Sequence, residues 1–192
     1  MIPFLETLLA LPFLAALAMV FLRGRSRGQV AWVAASAPLL GLALLAWMTP
    51  AVLQGWVPDA HHAWIPQIGL DFDLRLDGLA WMFAGLVLAI GALVVMYAHY
   101  YLSSEDSAPR FFGCLLLFMG SMLGVVIAGN LLLLMVFWEL TSISSFLLIG
   151  FWYKRQDARE GARMALAITG GGGLALLGGV LLIGRITGSY DL

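Results

Sequence analysis

Six long apolar stretches constrain this 192-residue chain more than any other feature of its sequence. Each has about 20 residues, the length that a helix needs to cross about 30 Å of hydrocarbon. Backbone amides inside a bilayer must be satisfied within the segment itself, so stretches of this length indicate helices and not the shorter strands of a barrel. The sequence therefore predicts an all-α polytopic membrane protein with about six transmembrane helices, over residues 2–22, 30–50, 79–101, 111–129, 131–152 and 163–186.

Composition excludes several other classes of protein. Apolar residues make up 62% of the chain and charged residues only 11%, whereas a soluble domain carries about 25% charged residues. Ten Lys and Arg residues are balanced by eleven Asp and Glu residues, which gives no basic footprint for nucleic acid. The single cysteine, Cys114, excludes a disulfide framework and a cysteine-ligated metal site.

The basic residues predict the orientation of the chain. With the N-terminus outside, eight of the ten Lys and Arg residues fall in cytoplasmic connections, as the positive-inside rule requires. Only Arg75 and Arg185 then lie outside. The cytoplasmic set consists of Arg23, Arg25, Arg27, Arg110, Lys154, Arg155, Arg159 and Arg163.

The chain divides into three parts. Residues 1–53 form two peripheral helices, residues 54–78 form an external loop, and residues 79–192 hold the remaining four helices. Polar and apolar residues alternate from Asp71 to Asp77 between two glycines, which predicts short strands on the outer face. Such a hairpin could pack against a neighbouring subunit or could cap the helix ends of its own chain. The glycines of the sixth stretch indicate close helix packing, not a phosphate-binding loop.

Glu139 is the candidate functional residue, since it is the only carboxylate well inside any of the six stretches. Placing an ionisable group near the bilayer centre costs about 2.5–3.5 kcal/mol on insertion scales, so its presence points first to function. A carboxyl group whose proton affinity depends on the distance of a cation can take up and release protons. The alternative is a structural acid that stays neutral and hydrogen-bonded to a neighbouring helix.

Two further residues are candidate proton relays. Ser142 lies about 60° around the helix from Glu139, and His99 lies at the cytoplasmic end of the third stretch. His61 and His62 are adjacent in the external loop, which offers no obvious further ligands for a metal ion. No metal, no cofactor and no nucleophile–base pair is predicted, so an enzyme is not expected.

Several segments carry a resemblance to a known family. They are WIPQIGLDFDLRLDGL from Trp64, MYAHYYLS from Met96 and FWELTSISSFLLIGFWYKR from Phe137. The chain resembles the N-terminal part of the A-type component of the Mrp multisubunit sodium/proton antiporter, also called Mnh or Pha. This component is similar to the antiporter-like membrane subunits of respiratory complex I, which typically carry a GWEG-like sequence where this chain has Phe137 to Thr141. That difference favours the antiporter branch.

The resemblance implies a function and a larger fold. The six helices would begin an inverted-repeat antiporter fold, in which the glutamate matching Glu139 pairs with a lysine on a broken seventh helix. The chain would then be an N-terminal part or a truncated form of a monovalent cation (Na⁺)/H⁺ antiporter subunit. Its partners would be other small membrane subunits, lipid, protons and monovalent cations, in the plasma membrane of a prokaryote. The alternatives are a proton-pumping membrane subunit of an NADH:quinone oxidoreductase and a non-transporting scaffold.

Overall fold

The computed structural model describes residues 4–103 and 105–192. Within them the chain forms six helices, and each is long and apolar enough to cross a membrane. The predicted all-α polytopic fold class is therefore confirmed. The helices are α1 (Phe4–Phe21), α2 (Arg27–Leu53), α3 (Gly78–Tyr101), α4 (Ala108–Ile127), α5 (Leu131–Ile149) and α6 (Gln156–Thr187).

The predicted helix ends are wrong at several places. The structure starts α6 at Gln156, seven residues before the predicted start at 163, because its polar first turns continue the helix beyond the apolar stretch. Conversely, α5 ends at Ile149 and not at residue 152, since Gly150 caps it and a turn follows. Helix α2 begins at Arg27 because the Ser26 side chain accepts a hydrogen bond from the Gln29 amide (3.4 Å). Hydropathy alone does not detect such caps.

Helix α4 lies at the centre of the bundle. It packs most extensively against α1 and α5, and it also contacts α2 and α3. Its fully buried residues Phe112, Leu116, Leu123 and Ile127 follow helical spacing. Half of the most apolar window of α4 is buried, compared with 11% for α6, whose main helix neighbour is α5. Helix α6 is therefore the least covered helix of the chain that the structure describes.

A β-hairpin covers the helix ends on one side of the bundle. Strands β1 (Asp59–Ile65) and β2 (Leu70–Arg75) pair antiparallel, and the short 3-10 helix Pro66–Ile68 joins them. Leu70 and Leu74 of β2, and Leu76 directly after it, are buried. The expected extended segment over 71–77 thus lies in the second strand and the residues after it, and the hairpin contacts α1 and α5.

Two further segments extend this small sheet. The Gly129 amide donates to the Asp73 carbonyl (2.8 Å), and the Leu192 amide donates to the Gly129 carbonyl (2.9 Å). The Leu131 amide donates to the Tyr190 carbonyl (2.7 Å). The connection between α4 and α5 therefore lies between β2 and residues 190–192, which fixes the start of α5.

The opposite end of the bundle is basic and is held by hydrogen bonds between connections. The Arg27 guanidinium donates to the carbonyls of Leu102 and Ser103. The Asp106 carboxylate accepts hydrogen bonds from the Ser103 amide (3.0 Å), the Ser103 hydroxyl (2.9 Å) and the Trp152 indole (2.9 Å). Although desolvation opposes the change, these hydrogen bonds hold the pKa of Asp106 below its ordinary value.

Candidate functional site

Helix α5 carries Glu139 near its middle, and Asn130 determines where this helix begins. Asn130 is fully buried, and its side-chain oxygen accepts hydrogen bonds from the amides of Leu132 (3.0 Å) and Leu133 (3.2 Å). Its side-chain nitrogen donates to the Gly69 carbonyl in the hairpin (3.0 Å). One side chain thus caps α5 and ties it to the hairpin, which positions Glu139 along the helix axis.

The Glu139 carboxylate occupies a notch in α6. Its Oε1 atom lies so close to Gly173 that a Cβ atom at that position would overlap it. The same Cβ would lie 3.1 Å from Glu139 Cδ and 3.6 Å from Trp138 Cδ1. Because any residue other than glycine carries a Cβ, the absence of a side chain at Gly173 makes room for the carboxylate.

The hydroxyl groups near Glu139 donate to their own helix. Ser142 is buried, and its hydroxyl donates to the Trp138 carbonyl at 3.3 Å. Thr141 donates to the same carbonyl at 2.6 Å, and Ser144 donates to the Leu140 carbonyl at 2.7 Å. Among residues 4–103 and 105–192, none donates a hydrogen bond to Glu139 or forms an ion pair with it.

His99 lies away from Glu139, near the basic end of the bundle. It belongs to the last turn of α3, a helix that packs against α2 and α4, whereas α5 packs against α4 and α6. Its ring packs edge-on against Tyr100, with the ring centroids 4.9 Å apart. Its Nδ1 atom is buried and has no hydrogen-bond partner within the described part of the chain.

The two loop histidines belong to separate pairs in β1. His61 Nδ1 pairs with Asp73 Oδ1 across the hairpin, and His62 Nε2 contacts Glu6 Oε1 of α1 at 3.0 Å. Each histidine therefore has one carboxylate partner of its own. Within the described ranges, no group of three or more His, Cys, Asp and Glu side chains could hold a metal ion.

Sequence reasoning missed two contacts of the α6 glycines. The sequence predicts close packing for all the glycines of this helix, yet a Cβ at Gly170, Gly171, Gly172, Gly178 or Gly179 would meet nothing within 4 Å. Only Gly173 and Gly184 make close contacts, with Glu139 and with the Tyr190 ring. No signal in the sequence separates these two glycines from the others. The capping role of Asn130, by contrast, could have been found from an Asn placed directly before a leucine run.

Comparisons with known proteins agree with the resemblance. A family model described as NADH-Ubiquinone oxidoreductase (complex I), chain 5 N-terminus, matches residues 64–112. A second, described as NADH:quinone oxidoreductase/Mrp antiporter, TM, matches residues 128–192, which include Glu139 and Gly173.

Individual relatives match nearly the whole chain. It is 51% identical over 188 residues to a probable K(+)/H(+) antiporter A/B subunit of Rhizobium meliloti (strain 1021), covering 98% of this chain and 19% of the relative. It is 42% identical over 183 residues to the Na(+)/H(+) antiporter A1 subunit of Staphylococcus aureus, covering 95% and 23%. A chain in the solved Mrp complex from Dietzia sp. DQ12-45-1b superposes with a TM-score of 0.85 at 32% identity, covering 97% of this chain and 20% of that one. The chain thus spans about a fifth of the length of these relatives.

Proposed function

Since this chain belongs to the family of Mrp-type antiporter A subunits, we propose that it is the part of a monovalent cation/H⁺ antiporter subunit in which Glu139 binds and releases protons. The observation that carries the proposal is the position of Glu139. Its carboxylate lies near the middle of a membrane-spanning helix, with one oxygen against the Gly173 notch. An ionisable group at such a depth is costly and serves best as a site that changes its protonation during transport.

Proton uptake at Glu139 would be coupled to export of a monovalent cation. One relative is named for K⁺/H⁺ exchange and another for Na⁺/H⁺ exchange, so both ions belong in any test of the proposal. No described residue neutralises Glu139, so the cation that adjusts its proton affinity would come from the remainder of the assembly. Other small membrane subunits would be the partners in this assembly.

Ser142 and His99 are proposed as relay groups on the way to the inner surface. Ser142 donates to the Trp138 carbonyl, and its hydroxyl oxygen can still accept a hydrogen bond from a neighbour. His99 lies in the last turn of α3, at the basic end of the bundle. Its Nδ1 atom is buried and has no hydrogen-bond partner in the described part of the chain. The proposal places the chain in the plasma membrane of a prokaryote with the N-terminus outside, which is the orientation that the positive-inside rule predicts.

The test is the Glu139→Gln variant in the intact assembly, with Na⁺- and K⁺-dependent proton flux measured in inverted vesicles. Glutamine keeps the shape of the side chain but cannot carry the proton, so the flux should fall about 100-fold. Glu139→Asp should retain part of the flux because it keeps a carboxylate. Glu105→Gln is the control, because it removes an exposed carboxylate near the basic end of the bundle and should leave the proton flux unchanged. Full flux in an assembled Glu139→Gln protein would reject the proposal.

A respiratory role is the second candidate, because one family model is described as NADH-Ubiquinone oxidoreductase (complex I) and the other names NADH:quinone oxidoreductase beside the Mrp antiporter. It predicts that Glu139→Gln lowers proton pumping driven by NADH and quinone and leaves cation-driven flux unchanged. Copurification with flavin and iron–sulfur subunits would favour it. The two functions are thus distinguished by what drives proton movement, which is a cation gradient for the antiporter and oxidation of NADH by quinone for the respiratory complex.

A further inference from the structure

An apolar groove runs between α1 and α4, and neither Glu139 nor any other residue of α5 lines it. Its volume is about 600 Å³, within the range of about 300–1,000 Å³ that ligand sites in proteins occupy. Side chains at helical spacing line both walls, so each helix turns one continuous face toward the groove. The lining includes Phe13, Leu17 and Val20 from α1 and Pro109, Gly113 and Leu117 from α4.

The floor of the groove is formed where the two helices approach each other closely. A Cβ at Gly113 would lie 3.6 Å from Met19 Cβ and 3.8 Å from the Ala16 carbonyl oxygen, so α4 rests directly on α1 there. The walls remain open, since Leu17 is 59% exposed and Val20 is 53% exposed. Open apolar walls at membrane depth are suited to a hydrocarbon chain.

One end of the groove is strongly basic. Arg23 and Arg110 line its mouth, and a second cavity of about 440 Å³ continues from Arg23 to Arg25 and Arg27. Asp106 is the acidic residue in the lining of the second cavity. Four arginines and one carboxylate leave a net charge of +3 at the mouth (4 − 1 = 3).

Three of the four arginines at the mouth, all except Arg27, are available to an anion. Arg23 and Arg25 form no ion pair with any residue that the structure describes. The Arg110 guanidinium carbon lies 5.5 Å from the centre of the Phe151 ring and 5.0 Å from that of Tyr153. The Arg110 guanidinium forms no hydrogen bond or ion pair with any residue that the structure describes, so its N–H groups remain available to donate.

We propose that this groove binds one anionic phospholipid, with an acyl chain between α1 and α4 and the phosphate on Arg23 and Arg110. The groove supplies the apolar walls for the chain, and the net positive mouth selects a headgroup of net negative charge. Arginine also donates two parallel hydrogen bonds to a phosphate group. The site lies outside the proposed proton path and does not depend on the role of Glu139.

The experiment uses phosphatidylglycerol with a photoactivatable diazirine in its acyl chain. The intact assembly is reconstituted in phosphatidylcholine vesicles that contain a trace of this probe, and crosslinked peptides are mapped by mass spectrometry. The adducts should fall on residues 13–20 and 113–117. Arg23→Gln with Arg110→Gln should lower the yield about 10- to 30-fold. Arg159→Gln with Arg163→Gln removes the same charge from α6, outside the groove, and should leave the yield unchanged.

Competition on the unmodified protein provides a test that needs no variant. Unlabelled phosphatidylglycerol should displace the probe at least about 10-fold more effectively than added phosphatidylcholine, and inorganic phosphate should not displace it. Three results would overturn the proposal. The first is equal competition by both lipids, and the second is displacement of the probe by inorganic phosphate alone. The third is a lack of adducts on residues 13–20 and 113–117 together with adducts on another polypeptide of the assembly that fills the groove.

Discussion

Replacing Gly173 with alanine tests the contact between α6 and Glu139. The new Cβ would overlap Glu139 Oε1 and lie 3.1 Å from Cδ, so either the carboxylate must rotate away or α6 must retreat from α5. Inserting one methyl group into a packed site costs about 1–3 kcal/mol. Alanine also favours the helix by about 1 kcal/mol relative to glycine, which offsets part of that cost. The net destabilisation should therefore be about 0–2 kcal/mol.

Gly172→Ala is the matched control for this variant. A Cβ at Gly172 would meet nothing within 4 Å, so the control gains the helix propensity without the overlap. The difference in unfolding free energy between the two variants isolates the overlap and should be about 1–3 kcal/mol. It is measured by thermal unfolding of the purified assembly, together with proton flux in inverted vesicles.

The two readouts separate packing from function. We expect Gly172→Ala to gain up to about 1 kcal/mol of stability and to keep its flux. Gly173→Ala should lose flux even where it still assembles, because the Glu139 carboxylate has moved. If both alanine variants unfold at the same temperature and carry the same flux, then Glu139 does not occupy the notch in α6. That result would refute the geometry on which the site is built.

Two other substitutions test residues outside the site. Asn130→Ala removes the cap of α5 and the bond to the Gly69 carbonyl, so chemical denaturation should show a loss of about 2–3 kcal/mol. Asn130→Asp keeps the cap, but it replaces the donor to the Gly69 carbonyl with a buried carboxylate oxygen that also faces Asp191, so it should not recover the lost stability. Asp106→Asn should lower the melting temperature at pH 7, because the lowered pKa of this carboxyl stabilises the fold above its ordinary value of 3.8. The difference in melting temperature between the variant and the unmodified protein should shrink as the pH falls below 3.8 through the folded-state pKa of Asp106. A difference that does not depend on pH would contradict the lowered pKa of this carboxyl group.

The bilayer is the reason that the fold class could be predicted from the sequence. Only helices of sufficient apolar length satisfy the backbone inside hydrocarbon, so hydropathy locates the helices without any tertiary information. An apolar stretch marks only the part of a helix that lies inside the membrane, however, so hydropathy does not show where a helix continues into water. This explains α6, whose first turns from Gln156 carry Asp157, Arg159 and Glu160.

The pairing of segments at the hairpin end could be predicted only in part. Alternation over 71–77 indicated an extended conformation, but nothing in that pattern specified a partner. The partners include residues 128–130 and 190–192, which join the sheet through single bridges at Ala128 and Asn130. Such short segments have no periodicity of their own, so only the packing of α4, α5 and α6 brings them together.

The Glu139 site shows why a residue can be identified before its neighbours. The cost of a carboxylate in hydrocarbon singles out Glu139 from the sequence alone. Helical periodicity fixes its face on α5, but the rotation of α6 about its own axis decides which glycine meets it, and no sequence period encodes that rotation. With Oε1 against Gly173, α6 closes one side of the carboxylate with a backbone surface that carries no charge. A group that changes the proton affinity of Glu139, as the proposed function requires, would therefore contact the carboxylate from a side that α6 leaves open.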